Sequence, residues 1–504
     1  MNIGELAKIE GIRIVRGGPD VYVDSVEFDS RKCRSGSLFV AIKGFNSDGH
    51  EYIAAAAAKG ASAVLIDSAR DLEKYSLDKI LEKAQDMAVI ETADSRKALG
   101  IVSQAVYGHP EERLDIAGIT GTKGKTTITF MLRSILEAAS VPSGLIGTVV
   151  NIAGGKRIKA EHTTPESSDL YKMMKDMADS GDKALVMEVS SQGLKYDRSY
   201  GLRYKVAAFT NLYEDHIAPN EHPDMDDYFR SKLKIFDNCA AGLINADIPY
   251  KDEAAEYAKA RCDVLFYGTA PDADIRAYDI RHYSEGYESG SFFELESPWY
   301  KGQIRIALPG RFNVSNALCA ISCAGVMGIP FDAVRKGLEN AHVPGRMQPV
   351  PNDLGISVIV DYAHNAAALE NVLSTVREYA GKRIICVFGC GGDRSRTRRF
   401  EMGEVSGNMA DLTVITSDNP RTEDPMAIIG DIVTGIKPTA GVFEIEADRA
   451  LAIRHAISIA EPGDVVLIAG KGHEDYQIFA DRTIHFDDVE VAMEAAGAVK
   501  ESGQ

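Results

Sequence analysis

Short apolar runs alternate with longer segments of helical periodicity along most of this chain. Apolar runs predict strands at residues 38–42, 63–66, 114–119, 184–187, 206–209, 358–360, 383–388, 412–416 and 465–469. The segment 264–308 has a denser strand pattern, and helical periodicity fills several intervals, such as 52–59 and 128–138. Because strands that alternate with helices build mostly parallel sheets, the pattern predicts an α/β fold.

The length of 504 residues and the grouping of these elements predict three domains. Residues 1–110 form a small α/β domain, residues 111–344 a central nucleotide-binding domain, and residues 345–504 a third, Rossmann-like α/β domain. Parallel sheets of this kind bind ligands beyond the carboxyl ends of their strands. Polar clusters that directly follow apolar runs are therefore the candidate functional residues.

One such cluster lies between a predicted strand and a predicted helix. Its residues are Gly121, Thr122, Lys123, Gly124, Lys125, Thr126 and Thr127. The glycines allow a tight turn with inward backbone N–H groups, the lysine supplies a positive charge, and the Thr126 hydroxyl suits Mg²⁺. The general phosphate-loop pattern has a glycine five residues before Gly124, where this chain has Ile119. The sequence therefore predicts a shortened phosphate-binding loop for a nucleoside triphosphate.

Further polar residues follow strands in the central domain. Glu188 ends the run 184–187, and a carboxylate at this place suits Mg²⁺, which prefers hard oxygen ligands. Asp215 and His216 follow the run 206–209, and Lys232 lies further along in the segment 229–233. Each of these residues is also compatible with a solvated surface position, and composition does not link His216 with Lys232.

The third domain has four polar clusters at strand ends, at residues 361–365, 389–394, 418–421 and 470–474. The second cluster is followed by Arg396, Arg398 and Arg399. Arginines at a glycine-rich strand end suit carboxylates or phosphates through paired hydrogen bonds, although a basic helix start that faces solvent has the same pattern. A ligand with both a carboxylate and an ammonium group would match the arginines at one end and Asp418 with Glu474 at the other.

Composition narrows the classes of function. The formal charge of −18 argues against a nucleic-acid partner, since phosphate backbones bind basic surfaces. The amino terminus has no basic segment followed by an apolar run, and no apolar stretch reaches about 18 residues, which predicts a cytoplasmic protein without a membrane span. The seven cysteines include no CxxC pair, which favours buried free thiols over a metal or redox site.

Taken together, these motifs resemble those of the Mur ligase family over nearly the whole chain, and most closely its MurE type. Members of that type add the third residue to the cytoplasmic peptidoglycan precursor UDP-N-acetylmuramoyl-L-alanyl-D-glutamate. The segments 29–32, 38–44 and 48–50 resemble the family's uridine-nucleotide segment, which here includes Ser30. The family's ATP loop, Gly-Thr-x-Gly-Lys-Thr, accounts for the missing glycine.

The resemblance implies an ATP-dependent ligase with Mg²⁺ as its cofactor. The implied ATP contacts beyond the loop are Asn313, Asn316, Arg346 and Asp361. The implied metal ligands are Thr126, Glu188, His216 and Lys232, of which the lysine matches one that becomes carbamylated. The implied catalytic residues are Lys125, Glu188, His216 and Lys232.

The resemblance also implies how the two other substrates bind. The implied contacts of the muramoyl dipeptide are Thr163, Thr164, Ser190 and Arg198. The implied contacts of the incoming amino acid are Arg394, Asp418, Asn419, Arg421, Gly470 and Glu474. In this family an arginine at the place of Arg421 accompanies meso-diaminopimelate, whose distal carboxylate is absent from lysine. The implied substrates are therefore UDP-MurNAc-L-Ala-D-Glu, ATP and meso-diaminopimelate, used by a monomeric enzyme.

The chain departs from the family pattern at a few places. Gln192 stands where histidine is usual, Gln348 replaces a common glutamate, and residues 365–367 are Asn-Ala-Ala instead of Thr-Pro-Asp. These departures leave open the transfer of L-lysine or another amino acid, or a non-catalytic paralogue that binds a nucleotide sugar. The four implied catalytic residues are all present, which argues against the paralogue. The uridine-nucleotide segment argues against an enzyme like folylpolyglutamate synthetase.

Overall fold

The computed structural model describes residues 1–44, 47–218, 221–285 and 287–502, and the chain divides into two compact units. The first unit comprises Met1–Ile275 and Cys319–Val334, and the second comprises Arg276–Leu318 and Arg335–Gln504. Each unit combines helices with mostly parallel sheets, so the predicted α/β class is confirmed. The domain boundaries at residues 110 and 344 stay predictions.

The first unit begins with a five-stranded sheet in the order β1-β5-β4-β3-β2, in which only β1 is antiparallel to its neighbour. The strands are β1 Arg13–Arg16, β2 Ser25–Glu27, β3 Ser37–Val40, β4 Ala63–Asp67 and β5 Ala88–Thr92. The α-helices are α1 Ile3–Leu6, α2 Ile53–Ala58, α3 Leu77–Lys83 and α4 Ser95–Tyr107. Short 3-10 helices are Ser30–Lys32, Gly49–Tyr52 and Pro110–Arg113. The strands predicted at 38–42 and 63–66 are confirmed.

The remaining strands of the first unit lie in the order β13-β12-β11-β6-β10-β7-β8-β9. They are β6 Asp115–Thr120, β7 Ser143–Ile146, β8 Val150–Ala153, β9 Lys156–Lys159, β10 Ala184–Glu188, β11 Tyr204–Phe209, β12 Cys239–Asn245 and β13 Asp263–Gly268. The helices are α5 Lys125–Ala138, α6 Ser167–Ser180, α7 Ser191–Lys195, α8 Met225–Leu233 and α9 Lys251–Lys259, with a 3-10 turn at Lys234–Phe236. Helices cover the parallel strands, so β10 is buried along its whole length and is apolar up to its terminal Glu188.

The chain passes between the units after Ile275 and again within two helices, α10 Arg311–Val326 and α11 Phe331–Glu339. The second unit has an antiparallel set of strands, β14 Ile275–Glu285, β15 Glu288–Glu296 and β16 Lys301–Ile306. Together with β13, these confirm the dense strand pattern predicted for 264–308.

The second unit also contains a six-stranded sheet in the order β17-β18-β22-β19-β20-β21. Its strands are β17 Gln348–Pro349, β18 Ser357–Asp361, β19 Ile384–Phe388, β20 Leu412–Ile415, β21 Phe443–Ile445 and β22 Val465–Ala469; β23 Tyr476–Ile478 and β24 Thr483–His485 form a separate hairpin. The helices are α12 Ala366–Tyr379, α13 Thr397–Met409, α14 Pro425–Ile436, α15 Arg449–Ser458 and α16 Asp488–Ser502. Because β18, β22, β19 and β20 are parallel neighbours, the four polar clusters that follow them lie at one edge of the sheet.

The cysteines have the free thiol state that the sequence predicts. All seven cysteines are free; six are buried, and Cys262 is partly exposed. Within the described ranges, no helix combines the length and apolar character that a membrane crossing requires.

Candidate functional site

The loop between β6 and α5 follows a path that only glycine tolerates at two positions. Gly121 has φ 150° and Gly124 has φ 87°. A Cβ atom on Gly121 would lie 1.9 Å from the Thr210 hydroxyl oxygen, so no larger residue fits there. The helix begins at Lys125 without a side-chain cap. Since the first N–H groups of an α-helix have no intrahelical acceptor, the loop and helix start form a site for an anion.

The lysines of this loop are held by specific partners. Lys125 Nζ donates to the carbonyl oxygens of Gly121 and Thr122, at 2.9 and 3.1 Å. Lys123 Nζ lies 3.0 Å from an Asp215 carboxylate oxygen. Burial raises the pKa of Asp215, but the charge and the hydrogen bond of Lys123, together with the contributions of His216, hold that pKa below its usual range. Asp215 is therefore an anion that fixes the loop.

Glu188 lies beside the start of α5 and is 1% exposed. The Thr126 hydroxyl donates to its two carboxylate oxygens at 3.0 and 3.1 Å, and Thr148 donates its backbone N–H and its hydroxyl at 2.9 and 3.1 Å. Among the ion pairs of the described residues, none involves Glu188. A buried carboxylate with neutral donors and an adjacent threonine hydroxyl is a donor set that fits a hard divalent cation such as Mg²⁺.

Lys232 and His216 occupy different surroundings. Lys232 is 1% exposed, and its Nζ donates to the Gly121 carbonyl oxygen at 2.9 Å and lies 4.4 Å from the Tyr228 ring centroid. Burial and the nearby Lys125 ammonium lower the pKa of Lys232 well below its usual value. The His216 side chain is 48% exposed, and its Nδ1 is hydrogen-bonded to Glu221 at 2.7 Å. The structure thus joins Thr126 with Glu188 and Lys232 with the loop. The hydrogen-bond partner of His216 is Glu221, and the His216 ring lies 6.0 Å from the same Tyr228 ring that Lys232 contacts.

Sequence reasoning missed His222, which anchors the segment that carries His216. His222 is buried, with Nδ1 2.6 Å from an Asp227 carboxylate oxygen and Nε2 2.9 Å from the Ser191 hydroxyl. Burial lowers the pKa of His222, although Asp227 acts in the opposite direction. Its backbone N–H donates to the His216 carbonyl oxygen at 3.2 Å. The available signal was the six-residue spacing between the two histidines.

Three of the residues predicted to bind the muramoyl dipeptide lie together. The Thr164 hydroxyl is 3.2 Å from the Ser190 hydroxyl and accepts the Ser190 N–H at 2.9 Å. Arg198 donates to the Thr164 carbonyl oxygen at 3.1 Å and to the Glu166 carboxylate at 3.0 Å. Glu166 also pairs with Arg96, at 2.7 Å. Glu166 and Arg96 were not predictable from local sequence pattern, because their side chains are joined across 70 residues.

The two other predicted contacts of that substrate are Thr163 and Ser30. The Thr163 hydroxyl is 3.0 Å from the Thr148 hydroxyl, which itself donates to Glu188. Ser30 is buried at the start of its 3-10 helix. In the same short helix, Lys32 forms an ion pair of 3.7 Å with Asp169 in α6, the helix that follows Glu166. The N-terminal segment is thus linked to the region around Thr164.

The other residues predicted to contact ATP lie in the second unit. Asp361 accepts the backbone N–H groups of Met347 and Ala363 at 2.7 and 2.9 Å. Burial raises the pKa of Asp361, while Arg346 acts to lower it. The Arg346 guanidinium lies 4.5 Å from the Tyr362 ring centroid. The amides of Asn313 and Asn316, in α10, are joined by a hydrogen bond of 3.1 Å.

The residues predicted to bind the amino acid meet at the carboxyl edge of the six-stranded sheet. A Cβ atom on Gly391 would lie 2.8 Å from Arg421 Nη1 and 3.8 Å from Arg394 Cγ, so both arginines border this glycine. Gly470 has φ 116°, and a Cβ atom there would lie 2.8 Å from the Asp418 carboxylate. Asn419 and Glu474 are joined by a hydrogen bond of 2.8 Å. The structure therefore brings these six residues together.

Lys471 is a further residue of this edge that sequence reasoning missed. It is fully buried. Its Nζ donates to Glu474 at 3.3 Å, to the Asn419 amide oxygen at 3.4 Å and to the carbonyl oxygen of Tyr476. The cation therefore joins two of the residues that are predicted to bind the amino acid.

The arginines that follow residue 394 do not all have the role expected for them. Arg396 and Arg399 both pair with Asp431, and Arg399 also pairs with Glu423. Two of the three expected positive charges are therefore paired with carboxylates of the protein, Arg399 in the interior and Arg396 at the surface. Elsewhere, ligand atoms of His109, Glu111 and Glu112 lie within 4.8 Å of one another, but exposed acidic groups of this kind are common without an ion.

Family models match most of the chain. The model of the "Mur ligase family, catalytic domain" matches residues 22–107, that of the "Mur ligase middle domain" residues 119–324, and that of the "Mur ligase, glutamate ligase domain" residues 345–472. The three matched segments together cover well over half of the sequence.

Two relatives are similar to this chain over almost its full length, and both are named UDP-N-acetylmuramoyl-L-alanyl-D-glutamate--2,6-diaminopimelate ligase. The protein from Clostridium botulinum is 44% identical over 475 residues, which cover 94% of this chain and 95% of the relative. The protein from Clostridium perfringens is 40% identical over 501 residues, with coverages of 98% and 99%. A solved structure of a ligase with the same name has a TM-score of 0.71 at 29% identity and covers 98% of both chains. On these grounds, the chain belongs to the Mur ligase family.

Proposed function

We propose that this chain is an ATP-dependent ligase that joins meso-diaminopimelate to UDP-MurNAc-L-Ala-D-Glu. The observation that carries the proposal is the pair Arg394 and Arg421, which border Gly391 beside Asp418, Asn419 and Glu474. Two guanidinium groups suit the second carboxylate of a diamino diacid, and the acidic and amide side chains suit its ammonium groups. The names of the relatives agree with this acceptor.

The proposed reaction has two steps. The side-chain carboxylate of the D-glutamyl residue attacks the γ-phosphorus of ATP, which forms an acyl phosphate and releases ADP. The deprotonated amine of the incoming amino acid then attacks the acyl carbon, the amide bond forms, and inorganic phosphate leaves. Positioning and charge stabilisation supply most of the catalysis in reactions of this type.

The phosphate loop has a defined part in this reaction. Its backbone N–H groups and Lys125 hold the triphosphate, and Thr126 with Glu188 would hold Mg²⁺. That ion neutralises phosphate charge when it is bound. His216 is proposed as a further ligand, which requires it to exchange its contact with Glu221. Asn313, Asn316, Arg346 and Asp361 are the proposed ATP contacts of the second unit.

We infer that Lys232 carries a carbamate in the active enzyme. A neutral lysine amine adds to CO₂, which forms an N–C bond and releases one proton, and the product is an anion. Burial favours the neutral amine, because it lowers the pKa of Lys232. The modification would change a neutral amine beside the phosphate loop into an anionic group that suits a metal ion.

The proposal extends to the other substrate and to the state of the protein. Ser30 contacts the uridine nucleotide, and the dipeptide contacts are Thr163, Thr164, Ser190 and Arg198. The domains are residues 1–110, 111–344 and 345–504, and the protein acts as a monomer in the cytoplasm. Analytical ultracentrifugation of the purified chain tests the monomer.

The deciding experiment measures phosphate release from ATP by the purified protein with UDP-MurNAc-L-Ala-D-Glu, in parallel with meso-diaminopimelate and with L-lysine. Release with a tripeptide product only in the presence of diaminopimelate supports the reaction and the two-arginine pocket. Activity with lysine alone supports the ligase reaction but contradicts meso-diaminopimelate as the acceptor. If neither amino acid supports phosphate release, the proposed function is contradicted.

A further inference from the structure

Arg399, in α13, forms a bidentate ion pair with Glu423. Its Nη2 and Nη1 atoms lie 2.7 and 2.9 Å from the two oxygens of that carboxylate, and Nη1 lies 3.0 Å from Asp431. Arg399 is among the most deeply buried large side chains of the protein. A guanidinium in this position has a fixed orientation, because both of its terminal nitrogens are engaged.

Glu423 connects this buried cation to the loop that carries Arg394. The carboxylate oxygen that accepts from Arg399 Nη2 also accepts the backbone N–H of Asp393 at 2.6 Å. The Thr422 hydroxyl donates to the Asp393 carboxylate at 2.6 Å. The residues next to Arg394 and next to Arg421 are thus joined across 29 positions of the sequence.

Both loops have unusual backbone conformations at these contacts. Asp393 has φ 55° and Arg421 has φ 54°, in the left-handed region that non-glycine residues rarely adopt. The Arg421 N–H donates to the Ile478 carbonyl oxygen at 3.0 Å, and its Nη1 donates to the Gly392 carbonyl oxygen at 2.7 Å. Such conformations persist only where surrounding contacts fix them, and they concentrate at functional sites.

We propose that Arg399 and Glu423 are positioning residues that set the separation of the Arg394 and Arg421 guanidinium groups and thereby determine recognition of the second carboxylate of the acceptor. This inference rests on the proposed function and deepens it. L-Lysine has no second carboxylate, so its use as an alternative acceptor does not depend on that separation.

The chain offers a matched control for this pair. Arg396 also binds Asp431, with Nε 3.0 Å from a carboxylate oxygen, but its side chain is 70% exposed and its ion pair is with Asp431 rather than Glu423. Arg396→Lys therefore perturbs the same carboxylate, Asp431, without changing the contact between Glu423 and Asp393.

The test compares Arg399→Lys, Glu423→Gln and the control Arg396→Lys. Lysine cannot reproduce the bidentate pair, and glutamine keeps an oxygen for the Asp393 N–H but lacks the charge. We expect KM for meso-diaminopimelate to rise on the order of 10- to 100-fold in the first two variants. In these two variants, KM for ATP and KM for UDP-MurNAc-L-Ala-D-Glu should stay within about twofold of the parent values. The same limit applies to any residual turnover of L-lysine and to every kinetic constant of the control variant.

Calorimetric titration with meso-diaminopimelate and thermal unfolding accompany the kinetics. If the parent protein binds the amino acid but does not turn it over, the proposed function is contradicted. The inference can still be tested in that case, because the variants should bind the amino acid more weakly than the parent. Folded variants with unchanged affinity overturn the inference, as does an equal loss for all substrates. A parent that does not bind diaminopimelate overturns the inference together with the proposed acceptor. Unfolding of both variants assigns the pair to stability and also overturns it.

Discussion

Thr126, in the first turn of α5, donates its hydroxyl to both carboxylate oxygens of Glu188 at the end of β10, at 3.0 and 3.1 Å. β10 and β6 are parallel neighbours, and Glu188 pairs with Ile119, two residues before the phosphate loop begins. The register of the sheet therefore places the carboxylate beside the helix start. A hydroxyl and a carboxylate in direct contact supply oxygen ligands of the kind that Mg²⁺ prefers.

Glu188→Gln tests this metal site. Glutamine keeps one oxygen for the Thr148 N–H, and the threonine hydroxyls can rotate to accept from its amide, so we expect the free energy of unfolding without metal to change by no more than about 1 kcal/mol. We expect kcat/KM to fall by about 100-fold or more, because the anionic metal ligand is lost. Chemical denaturation and phosphate release at several Mg²⁺ concentrations measure the two effects. Parent-like turnover with an unchanged Mg²⁺ dependence would exclude Glu188 as a ligand.

Lys232→Ala and Lys232→Arg test the proposed carbamate. Both should abolish turnover, since alanine has no amine and arginine keeps a positive charge that repels a metal ion. Nuclear magnetic resonance with ¹³C-labelled bicarbonate should detect a carbamate signal in the parent protein that both variants lack. Lys234→Ala, two residues away and partly exposed, serves as the control and should keep the signal and the activity. Parent-like turnover of Lys232→Ala would refute the carbamate.

The strand ends of the sheets were predictable from the sequence. Apolar runs located β10, β18, β19, β20 and β22, and parallel topology places the residues that follow such strands at one edge. This reasoning identified Glu188, Asp361 and Asp418 because each lies at or just after the end of its own strand. It depends only on local pattern, which a single sequence contains.

Buried charges were not predictable in this way. Arg399 pairs with Glu423 across 24 residues, and the fully buried Arg449 pairs with Asp488 across 39 residues. A charged residue is buried only where a distant partner compensates the loss of hydration, and a single sequence does not state that pairing. For the same reason, the run that contains Arg396 and Arg399 looked like a ligand site, although both side chains form internal ion pairs.

Lys471→Met tests whether the buried cation stabilises the amino-acid site. Methionine preserves most of the apolar stem but leaves the Tyr476 carbonyl and the Asn419 amide oxygen without this donor. An unsatisfied buried acceptor costs about 1–3 kcal/mol, so we expect a loss of about 2 kcal/mol in the free energy of unfolding. Denaturant titration measures it, and KM for the amino acid should rise because Glu474 loses a partner. An unchanged stability would mean that water replaces the ammonium group.

His473 makes the stability of the second unit depend on pH. Its ring lies 5.0 Å from the Tyr362 ring, and its Nδ1 is buried without a hydrogen-bond partner in the described structure. Burial and the nearby Arg346 charge lower the pKa of His473 to about 4. An unfolded histidine has a pKa of about 6.5, so between these values the unfolded chain binds a proton that the folded protein excludes.

This difference in pKa makes the folded protein less stable as the pH falls. The contribution of His473 is complete above about pH 6.5 and is lost as the pH falls toward 4, with a limiting slope of about 1.4 kcal/mol per pH unit. Denaturant titrations at about pH 7, 6 and 5 should show this loss in the parent, and His473→Leu should flatten the profile. The control is His485→Gln, because Glu490 raises the pKa of that exposed histidine and its removal should not flatten the curve. Equal slopes for the parent and His473→Leu would mean that folding does not lower the pKa of His473.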